Sequence, residues 1–131
     1  MTSSMFSVDI RKWTEGAKDK VDVVIRKVAL EMFSRVIQKS PVDTGRFKGN
    51  WQVAIGSVPS GTVEIDDKEG TATIAKVTAA TLELKAGQTI YLVNNLPYAN
   101  RLEYGHSKQA PNGMVRLTLL EFNQVVDWFM G

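Results

Sequence analysis

Few residues in this chain are of a type that does chemistry, and their spacing argues against it. His106 is the single histidine. A Ser-His-Asp arrangement is formally open to it, but no nucleophile motif supports one. A surface-loop histidine is the better reading than a general base. One histidine without any cysteine also excludes the common zinc ligand sets. The acidic run Glu64, Asp66, Asp67 and Glu69 carries the charge a calcium ion would want, but lacks the ligand spacing of an EF-hand loop and reads as a solvated turn. Gly56 and Gly61 have the glycine spacing of a phosphate-binding loop. Thr62 and Val63 follow where that loop needs Lys and Ser or Thr, so nothing would pair with the β- and γ-phosphates. Arg46 and Lys48, around Phe47, could touch a phosphate backbone or an acidic partner, although two exposed cations are equally the norm for a solvated loop. Thr118-Leu119-Leu120-Glu121 fits a capping box but falls inside the last predicted helix. The residues therefore predict a chain with no catalytic group, no metal and no cofactor.

The aromatic residues carry more. Trp51, Tyr91, Tyr98, Tyr104 and Trp128 all fall near the edges of predicted elements. Core packing is the expectation for Trp51 and Tyr91. Tyr98 and Tyr104 flank a short helix beside a loop and suit interface anchoring, because tyrosine combines apolar area with a polar tip.

The elements that must position these residues can be read from periodicity. Ala17, Val21, Val24, Val28, Met32 and Val36 recur at spacings of three and four, with Ile25, Ala29, Phe33 and Ile37 widening the stripe. This predicts a long helix from about Val8 to Lys39. Ser40-Pro41 ends it, since a residue before proline is pushed out of the α region. Val42 to Gly45 reads as a turn. Trp51, Val53 and Ile55 then alternate with smaller or polar residues, the signature of a strand. Gly56 to Gly61 is a loop, and Thr62 to Asp66 a second short strand. Thr71 to Ala86 reads as a helix, closed by Lys85 and Gly87. Thr89 to Val93 is the most β-prone stretch. Pro97 to Tyr104 predicts a short helix closed by Gly105, and Met114 to Phe129 a final one with Val115, Leu119, Phe122, Val126 and Phe129 as its seam. The order predicts an α+β fold: a small antiparallel or mixed β-sheet covered by a long N-terminal helix, a middle helix and a C-terminal helix.

Bulk properties bound the function. The 131 residues suit one domain, with residues 1–7 expected as a flexible tail. The net charge of +2, with signs alternating along the chain, is low for a dedicated nucleic-acid binder. No stretch reaches the roughly 18 apolar residues of a membrane span, and no signal peptide is expected.

Two segments together resemble a known family. The first is Ser40-Pro41-Val42-Asp43-Thr44-Gly45-Arg46-Phe47-Lys48-Gly49-Asn50-Trp51. The second runs Tyr91-Leu92-Val93-Asn94-Asn95-Leu96-Pro97-Tyr98-Ala99, then Leu102-Glu103-Tyr104-Gly105, then Ser107 to Arg116. In order and spacing they resemble the neck or tail-completion proteins of long-tailed, siphophage-type bacteriophages, also described as head–tail joining or minor tail proteins. The likeness runs from the first helix to the end of the chain. It implies a structural virion subunit without catalysis, assembled in the host cytoplasm into a homo-oligomeric ring, expected as a hexamer. The ring would lie between portal-side head-closure or connector proteins and the tail tube or tail terminator, with DNA passing through its lumen. A closed ring needs two different complementary surfaces. The expected pair is the turn Asp43, Thr44, Gly45, Arg46, Phe47 and Lys48, tightened by the Asp43 carboxylate, and the loop 104–113, with Tyr98, Glu103, Tyr104, Gly105, Ser107, Lys108, Gln109 and Pro111 as further candidate contact residues. A tail terminator capping the tail tube is the alternative within phage structure, a nucleic-acid-binding adaptor the alternative outside it. A small hydrolase built on His106 is the least supported.

Overall fold

The computed structural model describes residues 4–9, 18–105, 107–110 and 112–130. Three strands form one sheet: β1 (Ser4–Asp9), β2 (Trp51–Ile55) and β3 (Thr89–Asn94). The order is β1-β3-β2, with β3 antiparallel to both neighbours. Among the described residues six helices accompany it: α1 (Lys18–Gln38), α2 (Arg46–Gly49), α3 (Thr71–Leu82), α4 (Ala99–Glu103), α5 (Val115–Leu119) and α6 (Phe122–Met130). The predicted α+β architecture is present, and its sheet is wholly antiparallel.

The core gathers where the periodicity placed it. Ile25, Val28, Ala29, Met32, Phe33, Val36 and Ile37 of α1 are buried against Val77 of α3, Ile90 and Leu92 of β3, and Val125 of α6. Each of these side chains larger than alanine contributes about 1.5–3 kcal/mol by leaving water. Val21 and Val24, predicted on the same stripe, are only partly buried. Polar side chains then fasten connections to α1. The Arg26 guanidinium donates to the Leu84 carbonyl (2.6 Å), and the Asp22 carboxylate accepts from the Ala86 N–H (2.7 Å). Both hold the α3–β3 connection in place.

Several predicted boundaries move, each for a physical reason. The predicted first helix began at Val8 and residues 1–7 were a tail. Instead Ser4–Asp9 is a strand, in register from Ser4↔Asn94 to Asp9↔Thr89. A single apolar face of β3 can be completed by a distant segment whose own pattern is too short to announce itself. The early part of the predicted helix, 10–17, lies outside the described residues. Thr62–Asp66 is not a strand; it is an irregular crossing segment, pinned where the Val63 N–H donates to Asn50 Oδ1 (2.9 Å). The middle helix stops at Leu82, four residues short of its predicted end. Lys85 and Gly87 form a separate turn, with Gln88 N–H donating to the Lys85 carbonyl (3.2 Å). The short helix shrinks from 97–104 to Ala99–Glu103.

The final predicted helix is two helices. At Leu120–Glu121 the chain tightens, Glu121 N–H donating to the Thr118 carbonyl (2.9 Å). Lys39, in the turn after α1, holds the break: its ammonium donates to Thr118 Oγ1 (2.9 Å) and pairs with the Glu121 carboxylate, which Arg35 Nη1 also approaches at 3.3 Å. The break resets the helical phase. Thr118 and Val125 turn inward, while Leu119 of the expected seam is left exposed. Thr118 makes no capping box; its hydroxyl donates to the Met114 carbonyl (2.7 Å).

Asp67, read as part of a solvated turn, is structural. Its Oδ2 accepts from the Thr73 N–H (2.8 Å) and hydroxyl (2.6 Å), capping the first turn of α3 from outside. Burial pushes its pKa up. The hydrogen bonds from Thr73, Ala72 and Gly70 outweigh that and leave it below the ordinary 3.8. A carboxylate with a depressed folded pKa stabilises the fold above its unfolded value, and the contribution disappears as pH falls through the folded value. Stability is therefore expected to fall on acidification below about pH 4. Urea titrations of wild type and Asp67→Asn should converge there; a constant gap between them would refute the assignment.

Candidate functional site

The segment that ends α1 builds one wall of a cleft. Ser40 terminates the helix, its hydroxyl donating to the Val36 carbonyl (3.0 Å) and accepting from Trp51 Nε1 (2.7 Å). Trp51 is fully buried, as expected, and Phe47 meets it edge-on with ring centroids 5.8 Å apart. Tyr91, expected in the core with Trp51, is only partly buried. The turn before α2 pivots on Gly45, at φ +91°. Its carbonyl accepts from both Gly49 N–H and Asp67 N–H, each at 2.9 Å. The side-chain acceptor within the turn is Thr44 Oγ1, which takes the Arg46 N–H (3.2 Å), where the Asp43 carboxylate was expected. Asn50 and Asn94 close the turn by donating to the carbonyls of Arg46 (2.7 Å) and Phe47 (2.9 Å).

The second segment supplies the opposite wall, and Gln109 joins the two. Its Oε1 accepts from the Val42 N–H (2.8 Å) and its Nε2 donates to the Val42 carbonyl (2.9 Å). That two-point clamp mimics a strand pairing with a side-chain amide. Gln109 N–H in turn donates to Ser107 Oγ (3.1 Å). The result is an open cleft of about 310 Å³ with Pro41, Phe47, Tyr98 and Leu102 as its apolar lining and Asp43, Thr44, Arg46 and Ser107 as its polar lining. The Tyr98 ring lies 6.1 Å from that of Phe47.

Glu103 sits behind this wall. It is 6% exposed, and its carboxylate accepts from the N–H groups of Met114 (3.0 Å), Val115 (2.9 Å) and Arg116 (3.0 Å). Arg116 returns two bonds, Nε to Oε2 (3.2 Å) and Nη2 to the Glu103 carbonyl (2.6 Å). Its guanidinium also covers the Tyr104 ring, 4.6 Å from the centroid. The loop 104–113 is thus stapled at its base by a buried carboxylate.

The expected contact residues divide into two groups. Asp43, Thr44, Arg46, Tyr98, Tyr104, Lys108 and Gln109 are exposed, and Gly105 and Ser107 partly so. Gly45, Lys48 and Glu103 are buried and hold the walls in shape, while Phe47, 6% exposed, shows only the part of its ring that lines the cleft. Pro111, and with it His106, lies outside the described residues. A larger correction concerns the pairing. The 43–48 turn and the 104–113 loop were expected as two different surfaces; residues of both line the same cleft. Gln109 reaching Val42 across 67 positions brings them together. Pro41, Val42 and Leu102 complete the lining and were missed, although all three lie within the two motifs.

The cleft's chemistry is that of binding. An apolar side chain entering it meets aromatic and aliphatic walls, with a guanidinium and a carboxylate at the rim. Among the described residues no group of three or more His, Cys, Asp or Glu is placed to hold a metal, and no helix is long and apolar enough to cross a membrane. No protein-family model matches the chain, and neither a curated protein nor a solved structure matches it significantly.

Proposed function

We propose that this chain is a structural subunit of the neck of a long-tailed bacteriophage, assembling as a ring that joins head to tail. The observation that carries the reading is the convergence of the two motif segments, distant in sequence, on one preformed cleft. Their buried members (Gly45, Phe47, Trp51 and Glu103) build the cleft and their exposed members (Arg46, Tyr98, Tyr104 and Gln109) present it. Such a division between scaffold and display is what a contact surface requires. Hydroxyl and amide groups around the cleft spend their bonds on the protein's own backbone, which suits docking more than turnover.

Light scattering across a concentration series tests it. The expected result is a single closed species, a hexamer of the 14.5 kDa chain. A monomer at every concentration, with no binding to portal-side or tail-side proteins, would overturn the reading. The double substitution Arg46→Ala with Tyr104→Ala removes two exposed side chains of this surface. It should shift assembly to at least tenfold higher concentration, about 1.4 kcal/mol, while the circular dichroism of the fold is unchanged. Undiminished assembly would remove these residues from the contact.

A further inference from the structure

A ring requires a second surface, different from the cleft, and the two expected surfaces have merged into one. The remaining exposed apolar side chains are concentrated on α5 and α6: Leu117, Leu119, Leu120, Trp128 and Met130. Trp128 is 68% exposed and stacks on Phe129, with ring centroids 5.9 Å apart and planes 25° apart. A shallow recess bounded by Gln124, Asp127 and Trp128 adjoins it. An exposed tryptophan with exposed leucines beyond it is an unusual amount of apolar surface to leave in water.

We propose that this α5–α6 face, with Trp128 at its centre, docks into the 41–47/98–109 cleft of a second copy of this chain. The proposal rests on the ring-subunit reading and names the contact that would close the ring. Chemistry supports it: one surface presents an exposed tryptophan, the other a 310 Å³ cleft walled by Phe47, Tyr98 and Leu102. Burying a tryptophan there would remove about 150–250 Å² from water and favour offset or edge-on contact with the two rings. Charge supports it as well. Asp127, beside Trp128, is the only charged residue of α6. Segments 41–47 and 98–109 expose Arg46, Arg101 and Lys108 against one exposed acid, Asp43. Neither Arg46 nor Asp127 makes an ion pair among the described residues. Docking Trp128 between the rings would bring Asp127 to the basic rim. The contact is heterologous, so it propagates from copy to copy and closes only by rotation.

The chain has no cysteine, so single-cysteine variants report contacts cleanly. Thr44→Cys at the cleft and Gln124→Cys beside Trp128 are mixed and treated with a short bis-maleimide. The expected product is a covalent dimer that forms in the mixture and not from either variant alone. Adding Trp128→Ala to the Gln124→Cys protein should lower its yield at least fivefold; Trp128 is exposed, so the fold survives this change. Self-cross-linking of Gln124→Cys would instead place α6 against α6 and overturn the proposal. So would an absent mixed dimer, or a yield unaffected by Trp128→Ala. Light scattering on the unmodified chain separates the two levels. A ring without this cross-link refutes only the contact assigned here, whereas a monomer that also binds neither portal-side nor tail-side proteins refutes the ring.

Discussion

Glu103→Ala should cost about 3 kcal/mol of folding stability, on the scale for removing a buried charged acceptor. The carboxylate is the shared acceptor for three successive backbone N–H groups at the start of α5, and Met114 and Val115 are buried there. Alanine offers those donors nothing, and water has little access to replace it. Arg116 would also lose its carboxylate partner, and with it the support for its place over Tyr104. Urea denaturation gives the magnitude. Hydrogen exchange gives the location, because protection should drop first at the amides of Met114, Val115 and Arg116. Glu103→Gln should lose about half as much: its carbonyl can still accept, but its amide NH₂ must face other donors. A loss under about 1 kcal/mol for the alanine variant would show that the staple is dispensable.

Gly45→Ala should be at least as damaging, about 3–4 kcal/mol, for two separable reasons. At φ +91° an L side chain is strained. In addition, a methyl group would sit 2.5 Å from the Lys68 nitrogen and 2.6 Å from the Asp67 nitrogen. Those are backbone atoms, so relief means moving the 67–68 segment away from the turn. That would break the Asp67 N–H bond to the Gly45 carbonyl and disturb the cap that Asp67 places on α3. Gly56→Ala is the internal control. Its φ is +83°, but nothing lies within 4 Å of the added methyl. It should cost only the conformational strain, about 1 kcal/mol. Equal losses at the two positions would show that the contact with 67–68 is irrelevant. Combining Gly45→Ala with Asp67→Asn should give less than the sum, since both act through the same cap.

How much of this was legible in the chain can be argued from particular residues. The α1 stripe, the β2 alternation and the β-prone Thr89–Val93 run were readable because one buried face imposes a period on neighbouring residues. The α+β class followed from their order, and the end of α1 at Ser40-Pro41 from local sterics. β1 was not readable, because its partner is 90 positions away in Ser4↔Asn94 and six residues carry too little pattern. The break between α5 and α6 was hidden for a similar reason: Lys39, just past the end of α1, binds Thr118 and Glu121 and so resets the phase. The motif residues could be listed from the sequence, but their division into buried scaffold and exposed display could not. Phe47 and Lys48 look like surface residues in a charged turn until Trp51, Asn94 and Gly70 close around them. The single cleft depends on Gln109 reaching Val42, a bond made across folded chain. Periodicity and turn chemistry act over a few residues and are written locally; burial, phase shifts and the meeting of two loops are set by distant partners, and they exist only once the chain has packed.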